Sequence, residues 1–486
     1  MKWVAMDRRR FLSSLAAAAM LPFAAVTPVQ GQTRPRLRLA PVRTIHRGGQ
    51  PVVLSAAPGS YDLGAGPRPG ALLFNQQWPS PTLRVAQGGE FDLRLDNGLD
   101  EPTIVHWHGL TPPADMDGHP MASIPAGASR DYGFVVHDRP ATYWYHPHPH
   151  HRTAFQVYHG LAGFLLVEDG LDETRGLPTG SRDLPLLLAD KRISAGSLQY
   201  APAMPDMMVG FLGNTVLVNG AQSPVATVEP AVLRLRLLNG SNARILNPAF
   251  ADGRPFWLVG TDGGLLDAPV PVTSVPLAPG ERVEVLIDLR GEAGNTLAFV
   301  SAPLAITATL PPAIAMPPQG SAFPLLQFDV SAPLSGPPGA IPAGFEPMPG
   351  PAPGPAPVRT FLLGQQGAMH LINGTSYEGG RIDFLVPLGA TETWRFINQG
   401  NQPHPMHMHG SRFRVTARSG TPLASDAGWK DTVLVRVGET VDVRLSFEVP
   451  GLFVLHCHNL EHEDEGMMQN FVVGDGLFAD GFEAGG

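Results

Sequence analysis

The sequence predicts an all-β fold built from three repeated units, and three observations carry that prediction. Many short runs alternate apolar and polar residues, among them Phe91-Asp92-Leu93-Arg94-Leu95 and Arg282-Val283-Glu284-Val285-Leu286-Ile287-Asp288, so successive side chains fall on opposite faces of a strand. The 486 residues include 55 Gly and 51 Pro spread along the chain, a composition that disfavours long helices and supplies turns. An asparagine pattern also recurs: Phe74-Asn75, Val218-Asn219-Gly220 and Ile372-Asn373-Gly374 each stand a similar interval ahead of a β stretch ending in Asp96-Asn97, Leu238-Asn239 or Ile397-Asn398.

Residues 1–32 come first and read as a twin-arginine export signal. Asp7-Arg8-Arg9-Arg10-Phe11-Leu12 precedes a mildly apolar stretch from Ser13 to Val26, and cleavage is expected between Ala25 and Gln32. The stretch is too short and too rich in Ala for stable insertion in a membrane. The expectation is therefore passage through the twin-arginine translocase to a periplasmic or secreted location. Residues 33–180 form the first β domain, with turn signals such as Gly88-Gly89 and Asn97-Gly98, and residues 181–330 the second, which contains no histidine. Residues 331–357, with Pro347-Met348-Pro349-Gly350-Pro351-Ala352-Pro353-Gly354-Pro355, cannot pair as a strand and read as a linker. Residues 358–474 form the third β domain and 475–486 an acidic, Gly-rich tail.

Only 16% of residues are charged and the net charge is -9, so no basic field is available for nucleic acid. Small substrates fit this balance better, and a monomer is expected. Cys457 is the only cysteine, which rules out an internal disulfide. Composition alone would make it an inert buried thiol. Its neighbours His456 and His458 argue otherwise.

Ten of the 17 histidines fall in four groups: His106-Trp107-His108, His146-Pro147-His148, His404-Pro405-Met406-His407-Met408-His409, and His456-Cys457-His458 followed by His462 and Met467. In a strand, residues i and i+2 share a face, so each His-x-His pair offers two imidazoles to one side, the arrangement needed to chelate or bridge metals. In His456-Cys457-His458 the same geometry sends the thiol to the other face, which sets two metal sites back to back. A Cys, two His and a Met make the ligand set of a blue-copper electron-transfer site, and His404, Cys457, His462 and Met467 supply it. The eight histidines that remain (His106, His108, His146, His148, His407, His409, His456 and His458) suffice for three further copper ions. A zinc site closes at four ligands and needs neither group.

These four motifs resemble those of the multicopper oxidases, the family of laccases, bilirubin oxidases and cuprous oxidases, over nearly the whole chain after the export signal. The resemblance implies three Greek-key cupredoxin barrels and four copper ions, one of type 1, one of type 2 and two of type 3. It implies that His404, Cys457, His462 and Met467 bind the type 1 ion; that His106 and His407 bind type 2; and that His108, His146, His148, His409, His456 and His458 bind the type 3 pair. It further implies a laccase-type reaction: one-electron oxidation of a phenol or aromatic amine at type 1 copper, passage of electrons through Cys457 to His456 and His458, and four-electron reduction of dioxygen to water. Asp117 and Glu463 match family positions that relay protons. A periplasmic cuprous oxidase acting on Cu(I) is the alternative. Relatives of that kind carry an acid and a Met just before the first type 1 His and a Met-rich insertion; here Asn401-Gln402-Pro403 stands at the first position, and the linker holds only Met348. Met204, Met207 and Met208 read as packing, His150 and His151 as residues flanking a closed ligand set, and His46, His119, His137, His159 and His370 as singletons without a role.

Overall fold

The computed structural model describes residues 34–474 apart from 47, 49, 65, 309–315 and 353, so the expected export signal and acidic tail lie outside the described residues. Its strands form six sheets, and these pair into three sandwiches in chain order. In each sandwich the alternating apolar residues of both sheets close on one core: Leu54, Leu83, Phe91 and Leu165 in the first, Leu186, Leu235, Phe299 and Phe328 in the second, Phe361, Phe396, Leu455 and Phe471 in the third. Burial of these side chains, at about 25 cal/mol per Å² of apolar surface, is the main force holding each unit together.

The three units share a frame. An opening strand runs parallel to the strand that ends in the recurrent Asn: Val52–Tyr61 beside Glu90–Asn97, Asp183–Ser194 beside Val232–Asn239, and Val358–Gln366 beside Thr391–Asn398. The last register pairs are Ala56 with Asn97, Leu188 with Asn239 and Leu363 with Asn398. Both asparagine sets have a physical reason to recur. Asn75, Asn219 and Asn373 adopt the left-handed conformation (φ 54°, 48° and 54°), which Asn tolerates better than most residues. Each of their Oδ1 atoms accepts from a backbone N–H of the opening strand, Ser55, Leu187 or Leu362, at 2.8 Å. Asn97, Asn239 and Asn398 fold the loop that follows: Oδ1 accepts from the N–H two residues on (3.0, 3.0 and 2.9 Å). Nδ2 donates to the carbonyl of Glu101, Arg244 or Gln402 (2.9, 2.8 and 2.8 Å). In the first and third units these loops lead directly into His106 and His404.

Residues 331–352 form no strand, yet they are fastened to the body. Phe345 N–H donates to Asp267 O and Met348 N–H to Asp267 Oδ1 (2.9 and 2.8 Å), and Met348 sits in the core of the second unit.

The helix Leu460–Asp464, just beyond Cys457, locks the units together. Glu461 accepts from Phe211 N–H (2.8 Å) and Asn242 Nδ2 (2.7 Å) of the second unit. Asp464 accepts from the N–H groups of Thr153 and Ala154 (3.0 and 2.9 Å), which are unpaired donors at the start of the first unit's Thr153–Tyr158 helix. His462 and Glu463, between them, are thereby fixed in direction. No helix among the described residues is long and apolar enough to cross a membrane.

Candidate metal centre

The histidine motifs meet at the contact of the first and third units. His106, at the end of the strand Val105–His106, pairs with His146 in Ala141–Pro147. His404–Met408 runs antiparallel to Gly451–Cys457, with His407 opposite His456 and Met406 opposite Cys457. All eight imidazoles of this group (His106, His108, His146, His148, His407, His409, His456, His458) are at most 1% exposed.

Their protons show what the group is built to hold. His106 Nδ1–H donates to Asp117 O (2.7 Å) and His407 Nδ1–H to Asp431 O (2.8 Å), yet their Nε2 atoms face each other at 3.3 Å. With both ring protons committed to carbonyls, that contact opposes two lone pairs. His108 repeats the arrangement: Nε2–H donates to Asp431 Oδ1 (3.0 Å) while Nδ1 faces Nε2 of His146, itself donating through Nδ1 to Pro147 O (3.3 and 2.8 Å). His456 donates through Nδ1 to Cys457 O (3.1 Å), and its Nε2 meets Nε2 of His148 and of His409 at 3.2 Å. His458 has no hydrogen-bond partner on either nitrogen. Burial disfavours protonation of seven of these rings, lowering His148 to about 4 and His458 to about 3, with His106, His108, His146, His407 and His409 well below their ordinary value. Lone pairs aimed at one another repel unless a cation lies between them, and metal–imidazole bonds of about 2 Å suit such separations. The donors group as His106, His407 and His409; His108, His146 and His458; and His148, His409 and His456.

On the opposite face of the Gly451–Cys457 strand, Cys457 Sγ lies 3.5 Å from His404 Nδ1 and 3.8 Å from His462 Nδ1. Asn459 N–H points at the sulfur (3.4 Å). Burial pushes the thiol far above its usual value, so a thiolate here requires a cation beside it. Met467 is fully buried, its N–H donating to His462 O (2.8 Å) and its carbonyl accepting from Cys457 N–H (3.0 Å).

Two carboxylates flank the imidazole group. Asp117 Oδ2 accepts from His409 Nδ1–H (2.6 Å), and burial raises its carboxyl well above the ordinary range. Burial also opposes ionisation of Glu463, but His148 and His456, 3.6 and 3.1 Å away, outweigh it and hold that carboxyl below its usual range. The two carboxyls are thus driven in opposite directions.

Sequence reasoning missed two residues. Asp431 holds His108 by a side-chain oxygen and His407 by its carbonyl, and is itself clamped by Arg282 of the second unit (2.7 and 2.6 Å). No spacing marks Asp431. His370, dismissed as a singleton, is buried against the type 1 candidates, stacked on the His462 ring with centroids 3.6 Å apart. Its place two residues before the third copy of the asparagine motif was the available signal. His150 and His151 stack on each other, and His151 donates to Asp464 O (2.6 Å); His119 pairs with Asn470 Oδ1 (3.0 Å) and His159 with Phe155 O (2.8 Å).

Three β-sandwich units with a buried imidazole nest and a Cys–His site on its back define a copper protein of the oxidoreductase class. Comparison with known proteins agrees: two family descriptions, each of multicopper oxidases, match residues 59–172 and 351–476. The chain is 33% identical over 407 residues to Multicopper oxidase mco of Staphylococcus haemolyticus, covering 83% of each. It is 33% identical over 494 residues to Cell division protein FtsP of Edwardsiella tarda, covering 97% of this chain and 99% of that one. Among solved structures, the laccase-like multi-copper oxidase CueO from Ochrobactrum sp. superposes with a TM-score of 0.82 at 32% identity, covering 90% of this chain and 100% of that chain. The chain belongs to the multicopper oxidase family, copper-dependent oxidoreductases of cupredoxin fold that use dioxygen.

Proposed function

We propose that the protein is a multicopper oxidase of laccase type that takes electrons one at a time from phenols or aromatic amines. In this reading it holds four copper ions: type 1 by His404, Cys457, His462 and Met467, type 2 by His106 and His407, and the type 3 pair by His108, His146, His148, His409, His456 and His458. The observation that carries it is the run His456-Cys457-His458 at the end of the Gly451–Cys457 strand, in which the thiol joins one donor set and the two imidazoles the other. Bound copper supplies one-electron chemistry at the sulfur site and the reduction of dioxygen to two waters at the imidazole site. Cys457 gives the covalent connection through its peptide bonds to His456 and His458, and its carbonyl in addition accepts a hydrogen bond from His456 Nδ1–H (3.1 Å). Asp117 and Glu463 hold and move protons at His409 Nδ1 and His456 Nδ1. We further read the protein as exported by the twin-arginine route and working in the periplasm or outside the cell.

The phenol reading draws support from the Ochrobactrum relative, described as having oxidase activity towards lignin model compounds and lignosulfonate. A second reading, Cu(I) oxidation, is favoured by one observation: the helix Met204–Val209 packs against the Leu460–Asp464 helix at the sulfur site, with Met204 exposed. Oxygen uptake by copper-loaded protein with 2,6-dimethoxyphenol and, separately, with Cu(I) tests both. Uptake with the phenol alone supports the first reading, and uptake only with Cu(I) supports the second. A blue protein with four coppers that consumes no oxygen with either would contradict both and favour a role like that named for the cell-division relative.

A further inference from the structure

Two nitrogens at the sulfur site are buried, unpaired and complementary. His404 directs Nδ1 to Cys457 Sγ (3.5 Å), so its ring proton resides on Nε2, and that atom is buried without a hydrogen-bond partner. His370 donates Nε2–H to Met208 O (2.9 Å), which leaves Nδ1 a lone pair, also buried without a partner. One atom is an unmatched donor and the other an unmatched acceptor, and a polar atom buried without a partner is costly. The two rings stand edge to face at an interplanar angle of 67°, centroids 5.2 Å apart, and a nitrogen from each of His370, His404 and His462 lies within 4.8 Å of the others. The other face of His370 is already committed, stacked 3.6 Å over His462 at an interplanar angle of 27°.

We propose that His370 is a positioning residue of the electron-entry site: its Nδ1 accepts the Nε2 proton of His404 while its ring covers His462. The inference rests on the proposed reading of His404 and His462 as type 1 ligands. The resulting chain, His404 to His370 to the carbonyl of Met208, ties the site to the Met204–Val209 helix of the second unit. An acceptor on the outer nitrogen makes an imidazole ligand more basic and favours the more highly charged metal state. His370 therefore lowers the reduction potential of the site and sets both imidazoles in one orientation.

The test compares copper-loaded unmodified protein with His370→Phe, which keeps an aromatic ring over His462 but cannot accept, and His370→Gln, which can. Potential is read by redox titration of the blue absorbance, with copper content and EPR recorded on the same samples. His370→Phe is expected to raise the potential by the equivalent of a tenfold change in relative affinity, about 59 mV for one electron, with the type 1 EPR signal retained. His370→Gln is expected to stay near the unmodified value. His370→Leu, smaller and equally unable to accept, replaces the Phe variant if that one does not fold. An unchanged potential in the non-accepting variants overturns the proposal. Loss of the type 1 signal at full copper loading would make His370 a ligand and overturn it too. If the unmodified protein binds four coppers but shows no blue band, it is the ligand reading of His404 and His462 that fails.

Discussion

His106 and His407 point their Nε2 atoms at each other across 3.3 Å while both Nδ1 protons are held by backbone carbonyls, those of Asp117 and Asp431. The contact cannot be a hydrogen bond, and the rings are kept there by strands from two different units. Copper binding therefore contributes directly to the cohesion of the first and third units. Chelator-treated protein is expected to melt below copper-loaded protein, by an amount reaching about 2.7 kcal/mol per site at a free copper level of 100 times Kd, and copper addition should restore the midpoint. The gap should narrow in His106→Ala. Equal melting of the two forms would argue against a metal at this contact.

Asp117→Asn preserves the size of a side chain that receives His409 Nδ1–H (2.6 Å) but removes its capacity to carry a proton. Oxygen turnover is expected to fall about 10- to 100-fold, while the blue absorbance, which depends on the other site, stays unchanged. Stopped-flow reoxidation of reduced protein by dioxygen checks this, since the deficit should lie in that half of the cycle.

Arg282 and Asp431 form a fully buried pair that links the second unit to His108. Removing one partner of such a pair leaves an uncompensated charge, and Arg282→Met is expected to destabilise by about 3–5 kcal/mol. Copper should be lost with it, although residue 282 touches no histidine of the group by hydrogen bonding. A differential scanning measurement paired with copper analysis would register both effects.

Lys191 is buried with Nζ donating to Tyr158 O (2.7 Å), and burial lowers its amine to about 8 from 10.5. Between those values the unfolded chain binds more protons than the folded one, so the group's contribution is present above about 10.5 and is lost as pH falls through about 8. Relative to Lys191→Met, the unmodified protein should gain up to about 3 kcal/mol on raising pH across that window. Denaturation midpoints at pH 7.5 and 10 should diverge accordingly, and parallel midpoints would contradict the buried-charge argument.

The repeat was readable because Asn75, Asn219 and Asn373 each answer a local demand, a left-handed turn plus a hydrogen bond to the opening strand, that leaves a mark in sequence. The paired histidines were readable for the same reason, since period-two spacing is a property of one strand. Asp431 and Arg282 were not, because each acquires its role from a residue of another unit, and His370 left only its place two residues ahead of the third asparagine motif. The linker shows the intermediate case: its inability to form strands was evident, but the insertion of Met348 into the second core depends on a cavity that only the fold creates.

In the proposed reading Cys457 joins an electron-entry site to an oxygen-reducing one, and Cys457→Ser breaks that connection at one atom. Copper content, visible spectrum and oxygen uptake would be measured on one preparation. The variant is expected to lose its blue absorbance and essentially all turnover while retaining three of the four coppers, because the imidazole nest owes nothing to the sulfur. Full activity in that variant would mean that electrons reach the imidazole nest without Cys457.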